Sequence, residues 1–477
     1  MKQDIPQIQR YRWENLKLTI QAAQLRIQSE SSDKWVQSDL LCALLERLET
    51  FAGEAVSWMH NPDNIPKGSP TVKCYVPNNG RYLIAQQAIN DFNLIWHIYN
   101  QRQGNLNDVH GSIQIIYDLA KDALEPAIKA NIVQKDVIII PYLQKAPSIR
   151  IVPYANVAMI GLPYWLSKLR PDAFTFTQTL AQDLLAIPHE VGHFVYWHGL
   201  KSGPYKGKHV QAGLARWLKR HILDKYEIPD KDEELFKVLT RWGEEIFADV
   251  YGAFAAGEES VQSLMNMLLD YHRPEQFLDI EGAHPAPFFR PYSALAALRV
   301  LATRADHEQY NLLPADSGIT DQFLQEWKSK MDSSIKQKDI VGSQVHRLFG
   351  NTPPTDSKKQ AFVSKMSSIM EEMGTYIIEN LLDDNGSQNK LVSNTTQRIN
   401  VVEAKWVREH LNGVNSEKLN TLPFEISWQK WLDTLYEEYE ALDLAKYASD
   451  PKDRYWVVAM NAGGWTEGPG TGGTSLH

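Results

Sequence analysis

His189, Glu190 and His193 form an H-E-x-x-H pattern within the run A-I-P-H-E-V-G-H-F-V-Y-W, residues 186–197. On an α-helix, positions four apart lie about 40° from each other around the axis and one turn along it. His189 and His193 can therefore aim imidazole nitrogens at one shared point, and a zinc ion (Zn2+) is the cation such a pair suits. Glu190 falls beside that point rather than on it, where a general base for an activated water is needed. The competing interpretation is two histidines on a half-buried helix, one of them bonded to backbone.

A third ligand decides between them. In the run R-W-G-E-E-I-F-A-D-V-Y-G, residues 241–252, Glu245 and Asp249 are again four apart and share a stripe with Trp242, Phe247 and Ala248. Carboxylates are rarely buried unless paired or bound to metal. A catalytic zinc centre takes three protein ligands and leaves one position open. Glu245 is expected to be the third ligand. Asp249, one turn on, is expected to accept a ring N–H from a ligand histidine and fix its tautomer.

H-E-V-G-H followed by a helical E-x-x-x-D resembles the gluzincin branch of the zinc metallopeptidases. Residues 284–290, H-P-A-P-F-F-R, are similar to an H-P-x-P-x-x-R stretch that follows the glutamate helix in some gluzincin-like families. The metzincin extension fits less well, because Tyr196 and Gly199 stand where it needs Gly and His. Asp249 and the Val-Tyr-Gly after it are faintly similar to the aspzincins, whose third ligand is an aspartate. On that likeness Asp249, not Glu245, would bind the metal. The gluzincin resemblance implies peptide-bond hydrolysis, with Glu190 passing a proton from water to the leaving amine.

Negative charge on the former carbonyl oxygen needs a positioned donor. His284 is the first candidate, and Arg290 either assists it or braces the loop by pairing with a carboxylate. Tyr292 is a further candidate. Alternatively Pro285, Pro287 and Pro291 simply make a rigid turn before a helix at 293–303. Pro188 requires that the zinc helix either kink at that point or begin there, since proline is tolerated only in a first turn.

The elements that must position these groups can be read from periodicity. Apolar residues at helical spacing predict two or three helices over 7–60, then helices near 81–101 and 111–130, with a short strand at 71–76. Three β-rich runs, 137–141, 148–153 and 157–163, predict a small sheet next to the zinc helix, itself expected over 177–198. In zincins an edge strand in this place pairs with extended substrate. The resemblance therefore gives Val157, Ala158, Met159, Ile160 and Gly161 a substrate-binding role. Helices near 209–224, 232–257, 260–273, 320–337, 357–382, 397–411 and 427–446 complete the pattern. The expected fold is a predominantly helical α+β protein with a zincin-like domain over 136–305. Helical domains at 1–135 and 306–460 flank it, with a flexible Gly-rich tail at 461–477.

Composition narrows the partners. The chain has 477 residues, a net charge of −9 and no long basic run, which argues against nucleic acid. Cys42 and Cys74 are too few for a disulfide framework or a thiolate metal site. No apolar run approaches the ~18 residues of a membrane span, and no signal-like segment opens the sequence, so a cytoplasmic protein acting on protein or peptide substrates is expected. Two rivals remain: a catalytically silent scaffold that binds a protein partner through its helical flanks, and a zinc hydrolase of a non-peptide amide.

Overall fold

The computed structural model describes residues 5–30, 38–60, 78–103, 107–129, most of 132–163, 184–201, 208–218, 233–272, 284–303, 319–335 and 355–382, with 220, 225, 277 and 278. The strand expected at 71–76, the helices at 397–411 and 427–446, and the tail at 461–477 lie outside these residues. Within them the protein is predominantly helical with one small three-stranded sheet, an α+β composition.

Four long helices come first: α1 (Ile5–Glu30), α2 (Ser38–His60), α3 (Asn78–Gln103) and α4 (Asn107–Lys129). Trp13, Leu16, Ile20, Ala23 and Ile27 recur at three- and four-residue intervals on α1 and are buried, the stripe a helix needs to pack on a core. Leu41, Leu44, Leu48, Phe51 and Ala55 do the same for α2, and α1, α2 and α3 pack on one another.

The sheet follows as β1 (Ile138–Gln144), β2 (Ser148–Ile151) and β3 (Val157–Pro163) in the order β1-β3-β2. β3 runs parallel to β1, with Ile138 opposite Val157, and antiparallel to β2, with Ser148 opposite Gly161. It is the central strand, and all seven of its residues are buried. That corrects the expectation of an edge strand at 157–161. Both edges of Ala158, Met159, Ile160 and Gly161 are paired, and Val157 pairs with Ile138 on β1, so a substrate strand has no free edge along 158–161. The continuous apolar run V-A-M-I-G-L fits a strand covered on both faces, and it reads the same whether the strand is central or lateral.

The described elements form two compact units. The first holds α1 to α3, the start of α4 and the three strands, and the second holds the rest of α4 and the described residues from 184 to 382. The strands thus group with the N-terminal helices rather than within a 136–305 domain. Side chains of α3 explain the grouping. Gln101 closes the outer edge of β1 by bonding both the carbonyl and the N–H of Leu143. Arg102 donates to the Pro141 carbonyl at 3.0 Å, and Asp91 pairs with Arg150 on β2 at 2.7 Å.

The second unit is built on α5 (Ala186–His198), α6 (Val210–Trp217), α7 (Glu233–Tyr271), α8 (Arg290–Ala302), α9 (Ile319–Ile335) and α10 (Asp356–Tyr376). A π turn, Ile377–Leu382, closes α10, and a two-stranded ribbon, β4 (Leu200–Lys201) with β5 (Lys208–His209), follows α5. The backbones of α5 and α7 approach closely at Gly192, where a Cβ would stand 2.8 Å from Ala248 Cα. Gly257 breaks α7 internally at φ 64°, a left-handed conformation that favours glycine. It separates the two helical runs expected at 232–257 and 260–273. Tyr251 ties α7 to α4 by donating to the Ala123 carbonyl at 2.6 Å. Trp327 on α9 donates to the Phe288 carbonyl at 3.0 Å and pins the proline turn ahead of α8. Among the described residues, no helix is long and apolar enough to cross a membrane.

Candidate metal centre

Ala186 opens α5 after Leu185 as N-cap, so Pro188 sits in the first turn. The first four N–H groups of a helix have no intrahelical partner, so the missing donor of Pro188 costs the helix nothing. The described helix runs from Ala186, which keeps Pro188 within its first turn. His189 and His193 follow on one face, and α7 crosses that face at the Gly192–Ala248 contact.

The crossing brings His189, His193 and Glu245 together, each offering a ligand atom within 4.8 Å of the others. The two Nε2 atoms are 3.2 Å apart. His189 Nε2 is 3.7 Å from Glu245 Oε2, and His193 Nε2 is 3.7 Å from Glu245 Oε1. Neighbouring ligands of a tetrahedral zinc, at bond lengths of about 2.0–2.1 Å, stand about 3.3–3.4 Å apart. The triad is therefore close to the size of a zinc site without rearrangement.

The far sides of the rings complete the fit. His189 Nδ1 is 3.0 Å from Asp249 Oδ1, and His193 Nδ1 is 2.8 Å from Glu244 Oε1. A carboxylate accepts, so each Nδ1 carries its proton and each Nε2 presents a lone pair. Two lone pairs that face each other need a cation between them. In the metal-free protein a proton takes that place. Burial opposes a charge on His193, but Glu245 and Glu244 outweigh it and push the imidazole up to about 9.

The carboxyl groups divide by environment. Burial raises Glu190 despite the neighbouring His193 and His189, with Glu245 adding to the rise, and a raised carboxyl suits a general base that must accept and return a proton. Burial alone would raise Glu245 too, yet His284, His193 and Arg290 hold it well below the usual carboxylate range. It is thus ionised, as a ligand must be. Asp249 is likewise lowered against burial by Arg290 and His189.

His284, the residue expected to stabilise an oxyanion, lies at the exposed side of the cluster, its side chain 50 % accessible and its Nδ1 2.9 Å from Glu245 Oε1. The Glu245 carboxylate raises it against desolvation, so it can offer a charged donor. Arg290 is placed differently. Its guanidinium is buried and donates to Asp249 from Nε at 2.8 Å and Nη2 at 2.7 Å, while Nη2 also lies 3.2 Å from Glu245 Oε2. Of the two roles open to it, the bracing one fits this geometry, with Nε and Nη2 meeting two carboxylates. Tyr292 is buried, packing its ring against Phe288 at 5.6 Å and under Lys328 at 5.7 Å. These contacts place its ring in the core.

Glu244 is the functional residue that the spacing argument misses, and Trp197 joins it by donating from Nε1 to Glu244 Oε1 at 2.8 Å. Two sequence signals were available for them: the doubled acid Glu244-Glu245, and Trp197 standing four residues after His193. No protein-family model, curated protein or solved structure matches the chain.

Proposed function

We propose that the chain is a zinc-dependent hydrolase of peptide bonds whose second unit carries a zincin-like catalytic centre. The observation that carries this reading is the pair of Nε2 lone pairs converging with Glu245, each histidine backed by a carboxylate, with the raised Glu190 adjacent in sequence to His189. His189, His193 and Glu245 would hold the ion, and bound there zinc would lower the pKa of a water toward neutrality and polarise a carbonyl.

The remaining work falls to side chains of the chain itself. Glu190 takes a proton from the attacking water as the new C–O bond forms. It returns that proton to the amine nitrogen as the C–N bond breaks, so that carboxylic acid and amine leave with Glu190 regenerated. His284 faces the open side and donates to the oxyanion. Asp249 and Arg290 keep His189 and Glu245 in register without touching substrate.

A second reading has one specific observation in its favour. The strand expected to hold a peptide is central and paired on both sides along 158–161, which removes the strand-addition argument for peptides over smaller amides. One experiment separates the two readings. Wild type and Glu190→Gln are incubated with a native lysate and new protein N-termini are read by mass spectrometry, in parallel with a panel of N-acyl amides. Termini made only by wild type support the peptidase; release from the amides alone supports the second reading; neither, with zinc bound, supports the silent scaffold.

A further inference from the structure

Helix α5 presents three side chains at four-residue intervals, His189, His193 and Trp197, so three successive turns share one face. The first two aim at the centre. On α7, Glu244 and Glu245 are consecutive and hence about 100° apart around the axis; they cannot both face one ion. Glu245 faces the triad, and Glu244 stands behind His193, where its Oε1 accepts from His193 Nδ1 and Trp197 Nε1, each at 2.8 Å. The indole is itself fixed, edge-on to Tyr196 at 5.5 Å and 89°. The ring of Tyr196 in turn packs on Phe247 of α7 at 5.5 Å.

The two histidines are thus served alike. Each leans on a carboxylate, and each carboxylate is gripped by a second donor: Arg290 for Asp249, Trp197 for Glu244. The grips differ in charge. A guanidinium pairs with Asp249, whereas a neutral indole N–H orients Glu244. A glutamate carboxyl otherwise turns freely about its terminal torsion.

We propose that Trp197 and Glu244 form a positioning pair for His193, in which the indole N–H fixes the carboxylate that sets the tautomer and orientation of this one ligand. The inference rests on the zinc reading of the site, and metal binding tests it without reference to turnover. Zinc affinity of the metal-free protein is measured by chelator competition for wild type, Glu244→Ala, Trp197→Phe and the double variant, and visible spectra are recorded at saturating cobalt. Glu244→Ala should bind zinc about 10–100-fold more weakly and shift the cobalt bands, and Glu244→Gln, which keeps an acceptor, should recover part of the loss. Trp197→Phe should weaken zinc about tenfold, the size of one hydrogen bond to a charged group. The double variant should bind no more weakly than Glu244→Ala, because Trp197 acts through Glu244. Unchanged affinity in Glu244→Ala, or penalties that multiply in the double variant, would overturn the pair while leaving the zinc site in place. A wild type that binds no zinc would overturn both.

Discussion

Arg290 holds Asp249 through two parallel hydrogen bonds, Nε to Oδ2 at 2.8 Å and Nη2 to Oδ1 at 2.7 Å, with all of these groups buried. Because Asp249 also meets His189 Nδ1 at 3.0 Å, the guanidinium acts on the candidate metal centre at one remove. Arg290→Met should leave Asp249 buried without the guanidinium that pairs with it and destabilise the metal-free fold by about 3–5 kcal/mol. Urea unfolding checks this; a loss under about 1 kcal/mol would mean that Asp249 finds other partners.

Glu245 and Asp249 separate by role. Glu245→Ala should abolish stoichiometric zinc binding, since it removes one of three ligands, while Asp249→Asn should weaken it about 10–100-fold. Zinc content after dialysis against a weak chelator reads both. A full zinc complement in Glu245→Ala would transfer the ligand role to Asp249.

Zinc binding should release close to one proton per ion between pH 7 and 8. His193 titrates at about 9 in the metal-free protein, burial opposing and Glu245 and Glu244 prevailing, and zinc must displace that proton. Apparent affinity should therefore rise with pH and level off near 9. The sign for metal-free stability is the reverse. The folded pKa exceeds the ordinary 6.5, so the stabilisation is complete below about 6.5 and is lost as pH rises through about 9. Calorimetry in buffers of different ionisation enthalpy counts the proton; a release of none would mean that His193 is neutral before zinc arrives.

Gly192→Ala inverts an ordinary expectation. Glycine to alanine inside a helix usually stabilises by about 1 kcal/mol, but here the new Cβ would stand 2.8 Å from Ala248 Cα. Forcing α5 and α7 apart should cost about 1–3 kcal/mol and weaken zinc, because the two helices carry different ligands. Thermal unfolding with and without zinc reports both, and a rise in the metal-free melting temperature would contradict the close approach.

The parts of this arrangement that sequence makes legible are those written in local period. His189, His193 and Glu245 stand out because chemistry and helical spacing coincide, and they do meet at one point. The break at Gly257 falls where one expected helical run ends and before the next begins at 260. What depends on the crossing of α5 over α7 left no period to read. Glu244 meets His193 only because the crossing sets its oxygen behind that ring, and Arg290 takes its bracing position because two carboxylates from α7 lie against its Nη2. The place of β3 within the sheet was hidden for a related reason. A strand buried on both faces spells the same apolar run whether its neighbours lie on one side or two.

The central claim is a zinc ion held by His189, His193 and Glu245, and X-ray absorption at the zinc edge of the loaded protein tests it most directly. One tightly bound zinc per chain is expected, with two imidazoles and oxygen ligands at about 2.0–2.1 Å, lost in His193→Ala. A sulfur shell at about 2.3 Å, or the same spectrum in His193→Ala, would contradict it.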